Sequence, residues 1–163
     1  MSGHHLHETV ASVFAIEELK IFGKDYARQI LLNTKLLASY LSDYGFNVLA
    51  KNNGFTKTHM FLVDISTMLP ATEAETLLED AHIIVNRNML PQDSSFLYPS
   101  GLRIGTQEMT RLGAKEKDMV TIASFFKRLF LDKNNPNDIK KEVIEFRKSF
   151  RDIHYCYQNH EQK

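Results

Sequence analysis

Met60-Phe61-Leu62-Val63 puts four apolar side chains in a row inside the segment Thr58 to Ile65. A continuous apolar run of this length reads as a buried strand, and it is the strongest strand signal in the chain. Whatever this sequence folds into has to cover that strand. The cover available is helical. Val10, Val13, Phe14 and Ile21 recur at helix spacing between Glu8 and Phe22, and Gly23 punctuates that pattern. A second helix is expected from Lys24 to Tyr44, with Ile30, Leu37 and Leu41 on one stripe and Gly45 as its stop.

The remaining elements alternate. Phe46 to Leu49 is a short strand candidate, and Asn52-Asn53-Gly54 reads as a turn. After Pro70, Thr72 is expected to cap a helix reaching Ala81, with Glu75 as its capping-box partner. Ile83-Ile84-Val85 is a brief strand, followed by a loop through Pro91 and Pro99. Leu102 to Gly105 is another strand. Lys115 to Phe130 is helical, with Met119, Ile122, Phe126 and Leu129 on one face. A last helix starts near Asp138 and carries Ile139, Val143, Phe146, Phe150 and Ile153 as an amphipathic stripe. The order predicts a short sheet covered by helices, an α/β or α+β layer. The first helix finds little to pack against in its own neighbourhood.

Composition narrows the function classes. The 163 residues hold 20 Lys plus Arg and 20 Asp plus Glu, so net charge argues for neither nucleic acid nor a membrane surface. No apolar run reaches the length of a membrane span. The single cysteine, Cys156, cannot form an internal disulfide and fits a reducing, cytoplasmic setting. The histidines near the N-terminus are too broken for a tag, and no metal site is expected there. Phosphate-loop, dinucleotide, paired-cysteine and Gly-x-Ser-x-Gly patterns are missing from the sequence.

Arg103 is the residue that most asks for a role. It lies in an apolar strand between Gly101 and Gly105. A guanidinium is always charged, and its planar fork matches a carboxylate through parallel hydrogen bonds. The flanking glycines would leave backbone room for a ligand. An arginine on an exposed edge strand, paired to a surface acid, explains the same pattern. Asn86 and Asn88 flank Arg87 at the end of a strand. Their amides suit a ligand with donors and acceptors, or a turn with local hydrogen bonds. His59, inside the strongest strand, reads as a core or boundary residue with one satisfied nitrogen rather than as a catalyst. Ser2-Gly3 precedes a helix whose free N–H groups attract an anion.

Taken together, these stretches resemble the C-terminal part of serine hydroxymethyltransferase, a pyridoxal-phosphate (PLP) enzyme of fold type I. Ser100-Gly101-Leu102-Arg103-Ile104-Gly105-Thr106 is nearly the family's S-G-I-R-x-G-T, and Met109 to Gly113 resembles its x-T-x-R-G. Thr58 to Asp64 is similar to N-H-L-x-L-V-D, Ile84 to Asn88 to T-V-N-K-N, Asn33 to Leu37 to N-A-K-A-L, and Gly45 to Val48 to G-Y-x-V. The N-terminal Ser-Gly-His-His-Leu-His looks like the Gly-Gly-Pro-x-x-His segment, with Ser2 in place of the first glycine. The resemblance runs over roughly residues 2 to 130.

The resemblance implies a small C-terminal domain over 45–163, preceded over 1–44 by the helical connection from a large domain. It implies that Arg103 binds the α-carboxylate of an amino-acid substrate. Asn88 would contact the folate ring system and Phe96 would lie near the folate's aryl group. Ser2 and Gly3 would touch the PLP phosphate of the neighbouring subunit in a homo-oligomer. The whole enzyme would transfer a one-carbon unit from serine to tetrahydrofolate, leaving glycine. The family's Schiff-base lysine belongs to a Thr-His-Lys stretch that is not matched here. Lys57 sits in the segment matching N-H-L and is not its equivalent. The chain alone is therefore expected neither to hold PLP covalently nor to catalyse, whether it is an expressed fragment or one subunit of a split enzyme. A related aldolase or transaldolase, or a non-catalytic interaction module, would be built from the same residues.

Overall fold

The computed structural model describes residues 6–95 and 97–157. Helix α1 runs unbroken from Leu6 to Asp43, where two helices were expected. Gly23 lies inside it, and a Cβ there would sit in ordinary contact, 3.4 Å from a Leu19 methyl. A mid-helix glycine costs about 1 kcal/mol, too little to end a helix with good formers on both sides.

Four strands follow, interleaved with helices: β1 (Asn47–Val48), β2 (Met60–Asp64), β3 (Asn86–Asn88) and β4 (Gly101–Gly105). They form one sheet in the order β1-β2-β4-β3, antiparallel throughout. Helix α2 (Ala71–Asp80) precedes β3. After β4 come α3 (Gln107–Arg111), α4 (Glu116–Phe130) and α5 (Pro136–Arg147).

Helices cover one face of the sheet. Phe61 and Val63 of β2 and Leu102 and Ile104 of β4 point into a single core with Leu37 and Leu41 of α1 and Phe126 and Phe130 of α4. Each such side chain, fully buried, contributes about 1.5–3 kcal/mol. Met60 and Leu62 alternate to the other face and are only half-buried. The apolar run is therefore a strand covered on one side, not the doubly buried strand its composition suggested.

Three local expectations give way to tertiary contacts. Helix α2 begins at Ala71 behind Pro70, and Thr72 lies within it. Glu75 makes no capping box because its carboxylate is engaged elsewhere, 2.5 Å from Arg87 Nε. Ile83 to Val85 is not a strand. His82 adopts a left-handed backbone (φ 61°), and sheet pairing starts only at Asn86, opposite Arg103. The last helix ends at Arg147, with Phe150 still buried beyond it against Phe146, while Ile153 is exposed.

The end of β4 is tied to α1 by buried polar side chains. Thr34 and Thr106 hydroxyls meet at 2.6 Å, and Asn33 donates to Thr110 Oγ1 and to the Ala114 carbonyl at 2.9 and 2.8 Å. These groups are wholly or almost wholly buried, and every buried side-chain polar atom among the described residues has a partner.

Candidate functional site

The sheet face away from the helices is built by alternation. A strand points successive side chains to opposite sides, so the paired rows Asn86–Arg103–Leu62 and Asn88–Gly101–Asp64 share this open face. Arg103 stands exposed at its middle. Its Nη2 donates to Asn86 Oδ1 at 3.0 Å. No carboxylate among the described residues pairs with it. That removes one reading the sequence left open, an arginine matched to a surface acid.

The aim of Asn86 and Asn88 is fixed from the opposite side. Arg87 between them turns toward α2, where Glu75 accepts from both its Nε and its backbone N–H, at 2.5 and 3.3 Å. With Arg87 anchored, its neighbours face out. Asn88 then donates to the Met89 carbonyl at 2.6 Å.

The glycines leave room, but the chain itself fills it. A Cβ on Gly101 would fall 2.5 Å from Leu90 Cδ2 and 3.0 Å from the Asn88 carbonyl oxygen. Leu90 is buried by lying across this glycine. Over Gly105 lies the flexible end of Gln107. The expected vacancy for a ligand is therefore not there at Gly101, which serves the crossing of the loop, whereas at Gly105 only a flexible side-chain end stands over the backbone. Asp93 knots that loop. Its carboxylate accepts from the Leu90 and Ser100 N–H groups at 2.8 and 2.9 Å and from the Ser100 hydroxyl at 2.5 Å. These hydrogen bonds, the Ser100 hydroxyl first, hold its carboxyl below the usual aspartate range. Sequence reasoning passed over Leu90 and Asp93, since one leucine and one aspartate in a polar loop carry no periodic signal.

Other expected positions are less engaged. His59 precedes β2 and is exposed, and its carbonyl accepts from Thr106 N–H at 3.2 Å. Ser2, Gly3 and Phe96 lie outside the described residues. A cleft of about 240 Å³ opens on the helix side, lined largely by apolar groups including Ile104, Met109, Ile122 and Phe146. It is on the far side of the sheet from Arg103, since Ile104 and Arg103 alternate.

Comparison with known proteins matches the chain to a known family. The serine hydroxymethyltransferase family model covers residues 1–126. The chain belongs to the serine hydroxymethyltransferase family. The serine hydroxymethyltransferase of Saccharolobus islandicus is 46% identical over 159 residues, and that of Staphylothermus marinus 45%. These alignments take in 96% of this chain but only 37% and 36% of the relatives. Thus the chain spans little more than a third of the length of the curated relatives it matches. Among solved structures, the L-threonine transaldolase of Pseudomonas fluorescens superposes with a TM-score of 0.82 at 30% identity, covering 92% of this chain and 34% of that one. The fold is thus that of a fold-type-I PLP enzyme's smaller part. No helix among the described residues is long and apolar enough to cross a membrane.

The family uses pyridoxal phosphate, and the donor set on the open face bears on how much of that chemistry resides here. One cationic fork and adjacent amides suit a carboxylate. An exposed sheet face does not by itself enclose a phosphorylated ring.

Proposed function

We propose that this chain contributes the substrate-carboxylate part of a PLP-dependent serine hydroxymethyltransferase, which converts serine and tetrahydrofolate to glycine and 5,10-methylenetetrahydrofolate in the cytoplasm. The observation that carries the reading is the Arg103 fork. It is exposed, braced from one side by a neutral amide, and without an acidic partner among the described residues. A bound amino acid reacts only when the bond to be broken is aligned, and a bidentate grip on its carboxylate fixes that alignment. PLP, where bound, supplies the electron sink, and residues of this chain supply the grip.

In this reading Asn88 contacts the folate ring system and Phe96 lies near its aryl group. Ser2 and Gly3 touch the cofactor phosphate of a neighbouring subunit. Residues 1–44 form the connection from a large domain, and 45–163 the small domain. Catalysis needs the part of the family's length that this chain does not match. The exposed Val10, Val13 and Phe14 of α1 are the surface that this missing part, or a second copy, covers. The transaldolase likeness supports a second reading, a related enzyme acting on β-hydroxy amino acids with the same grip.

The test is Arg103→Ala in the complete enzyme. Amino-acid turnover should be abolished while PLP stays bound, and Arg103→Lys should restore little, because a point charge cannot reproduce the fork. Asn88→Ala should spare exchange of the glycine α-proton and weaken the folate-dependent step. Near-normal serine affinity in Arg103→Ala would refute the carboxylate assignment. In the complete wild-type enzyme, turnover of β-hydroxy amino acids with serine turnover indifferent to folate would favour the transaldolase reading.

A further inference from the structure

We propose that Asn86 is the positioning residue of the Arg103 fork, and that it has to be an amide. The inference rests on the carboxylate reading of Arg103 given above. Asn86 Oδ1 accepts from Arg103 Nη2 at 3.0 Å, and the two residues are direct cross-strand partners. The same register is held from behind by the Glu75–Arg87 pair, so the acceptor is presented by a strand that is itself anchored to α2.

An exposed arginine on an open sheet face has several rotatable bonds. A grip with two parallel hydrogen bonds needs the guanidinium plane fixed before the ligand arrives, or that ordering is subtracted from the affinity. One hydrogen bond from the neighbouring strand fixes the plane. It occupies a single N–H and leaves the other donors of the guanidinium to a carboxylate. The brace must also be neutral. Aspartate at this position has nearly the same shape, but it would pair with Arg103, cancel its charge and repel an arriving carboxylate. No acid pairs with Arg103 among the described residues: Asp64, which shares its open face one row away, accepts from Asn47, Gln92 and the Ser66 N–H, and Glu75 is taken by Arg87 on the other side of β3.

The experiment uses this chain with its arginine side chains labelled with 15N, titrated with sodium acetate and, as a probe lacking a carboxylate, ethanolamine hydrochloride at matched chloride. Unliganded wild type should show restricted rotation of the Arg103 guanidinium, and acetate alone should shift its resonances. Asn86→Ala should release that rotation and weaken the acetate response severalfold. Asn86→Asp should keep the rotation restricted yet weaken acetate binding by roughly fivefold or more. Asn86→Gln, an amide of greater reach, should recover part of the acetate response that alanine loses. Unchanged backbone spectra of β3 and β4 in each variant show that the sheet is intact. A role in sheet stability alone would affect Ala and Asp alike in rotation and would not make Asp the poorer binder of the anion. If acetate shifts Arg103 equally in wild type, Asn86→Ala and Asn86→Asp, the brace is refuted while the carboxylate reading stands. If acetate leaves Arg103 unmoved in wild type as well, the carboxylate reading falls and the brace falls with it.

Discussion

Gly101→Ala should be among the most damaging single-methyl additions on the open face of the sheet, and the structure sets its size. Gly101 has no positive φ, so alanine meets no backbone objection and the test is one of space. The added Cβ would stand 2.5 Å from Leu90 Cδ2, 2.7 Å from Leu90 Cγ and 3.0 Å from the Asn88 carbonyl oxygen. The Cγ is the branch point of a buried side chain, and the carbonyl belongs to the paired strand. Neither can swing aside. Forcing a methyl group into such a site costs about 1–3 kcal/mol. Gly105→Ala is the internal control. Its Cβ meets only the amide end of Gln107, so the change should stay within about 0.5 kcal/mol. Urea unfolding followed by circular dichroism reads both. Leu90→Ala alone should cost about 2–5 kcal/mol through its cavity. Combined with Gly101→Ala it should cost less than the two changes added together, since the new methyl occupies the space vacated; a coupling of about 0.5–3 kcal/mol is the range for touching residues. If Gly101→Ala is no worse than Gly105→Ala, or the double variant is simply additive, Leu90 does not lie across Gly101 as described.

Three further outcomes follow from the same contacts. Asp93 has its carboxyl lowered by hydrogen bonds made in the folded state, so its contribution is present above the ordinary aspartate value of about 3.9 and is lost as pH falls through the lower folded value; hydrogen exchange at the Leu90 and Ser100 amides should accelerate only in that acid window, and in Asp93→Asn at neutral pH as well. Asn33→Ala should destabilise by about 1–3 kcal/mol in thermal unfolding, because it leaves Thr110 and the Ala114 carbonyl without their donor in a buried setting. Arg128 grips Glu142 with both terminal nitrogens at 2.6 Å, but the Glu142 side chain is half exposed, so Glu142→Gln should cost no more than about 1 kcal/mol by urea unfolding and less at high salt.

The sequence revealed strands and helices where their own residues decided the matter. The apolar run Met60 to Val63 located β2, though not that only Phe61 and Val63 face the core, and Met119, Phe126 and Leu129 found the buried side of α4. The candidate fork, Arg103, was visible for the same reason: a cation within an apolar strand has to face out. What stayed hidden depended on partners distant in the chain. Glu75 left its cap for Arg87, Leu90 crossed Gly101, and Asn86 met Arg103 only because β3 and β4 pair. Helix α3 was missed because five residues behind Thr106 carry too little periodicity to register. The closing segment was missed as well. His154 N–H donates to the Arg111 carbonyl, Arg111 donates to the Tyr155 carbonyl and to Glu18, and Tyr155 stacks on Tyr26 at 5.1 Å. No local pattern announces a chain that returns to a helix more than a hundred residues earlier.

The unbroken course of α1 through Gly23 has a mechanical consequence. At about 1.5 Å per residue the helix is some 57 Å long, and its first half stands clear of the core. Its second half is bolted through Thr34 to Thr106, the residue immediately after β4. A helix without a kink transmits a push as a stiff rod does. A body seated on Val10, Val13 and Phe14 would thus bear on one arm of a rod whose other arm is tied to the end of the strand carrying Arg103, with Glu18 and Tyr26, held by Arg111 and Tyr155, between the two.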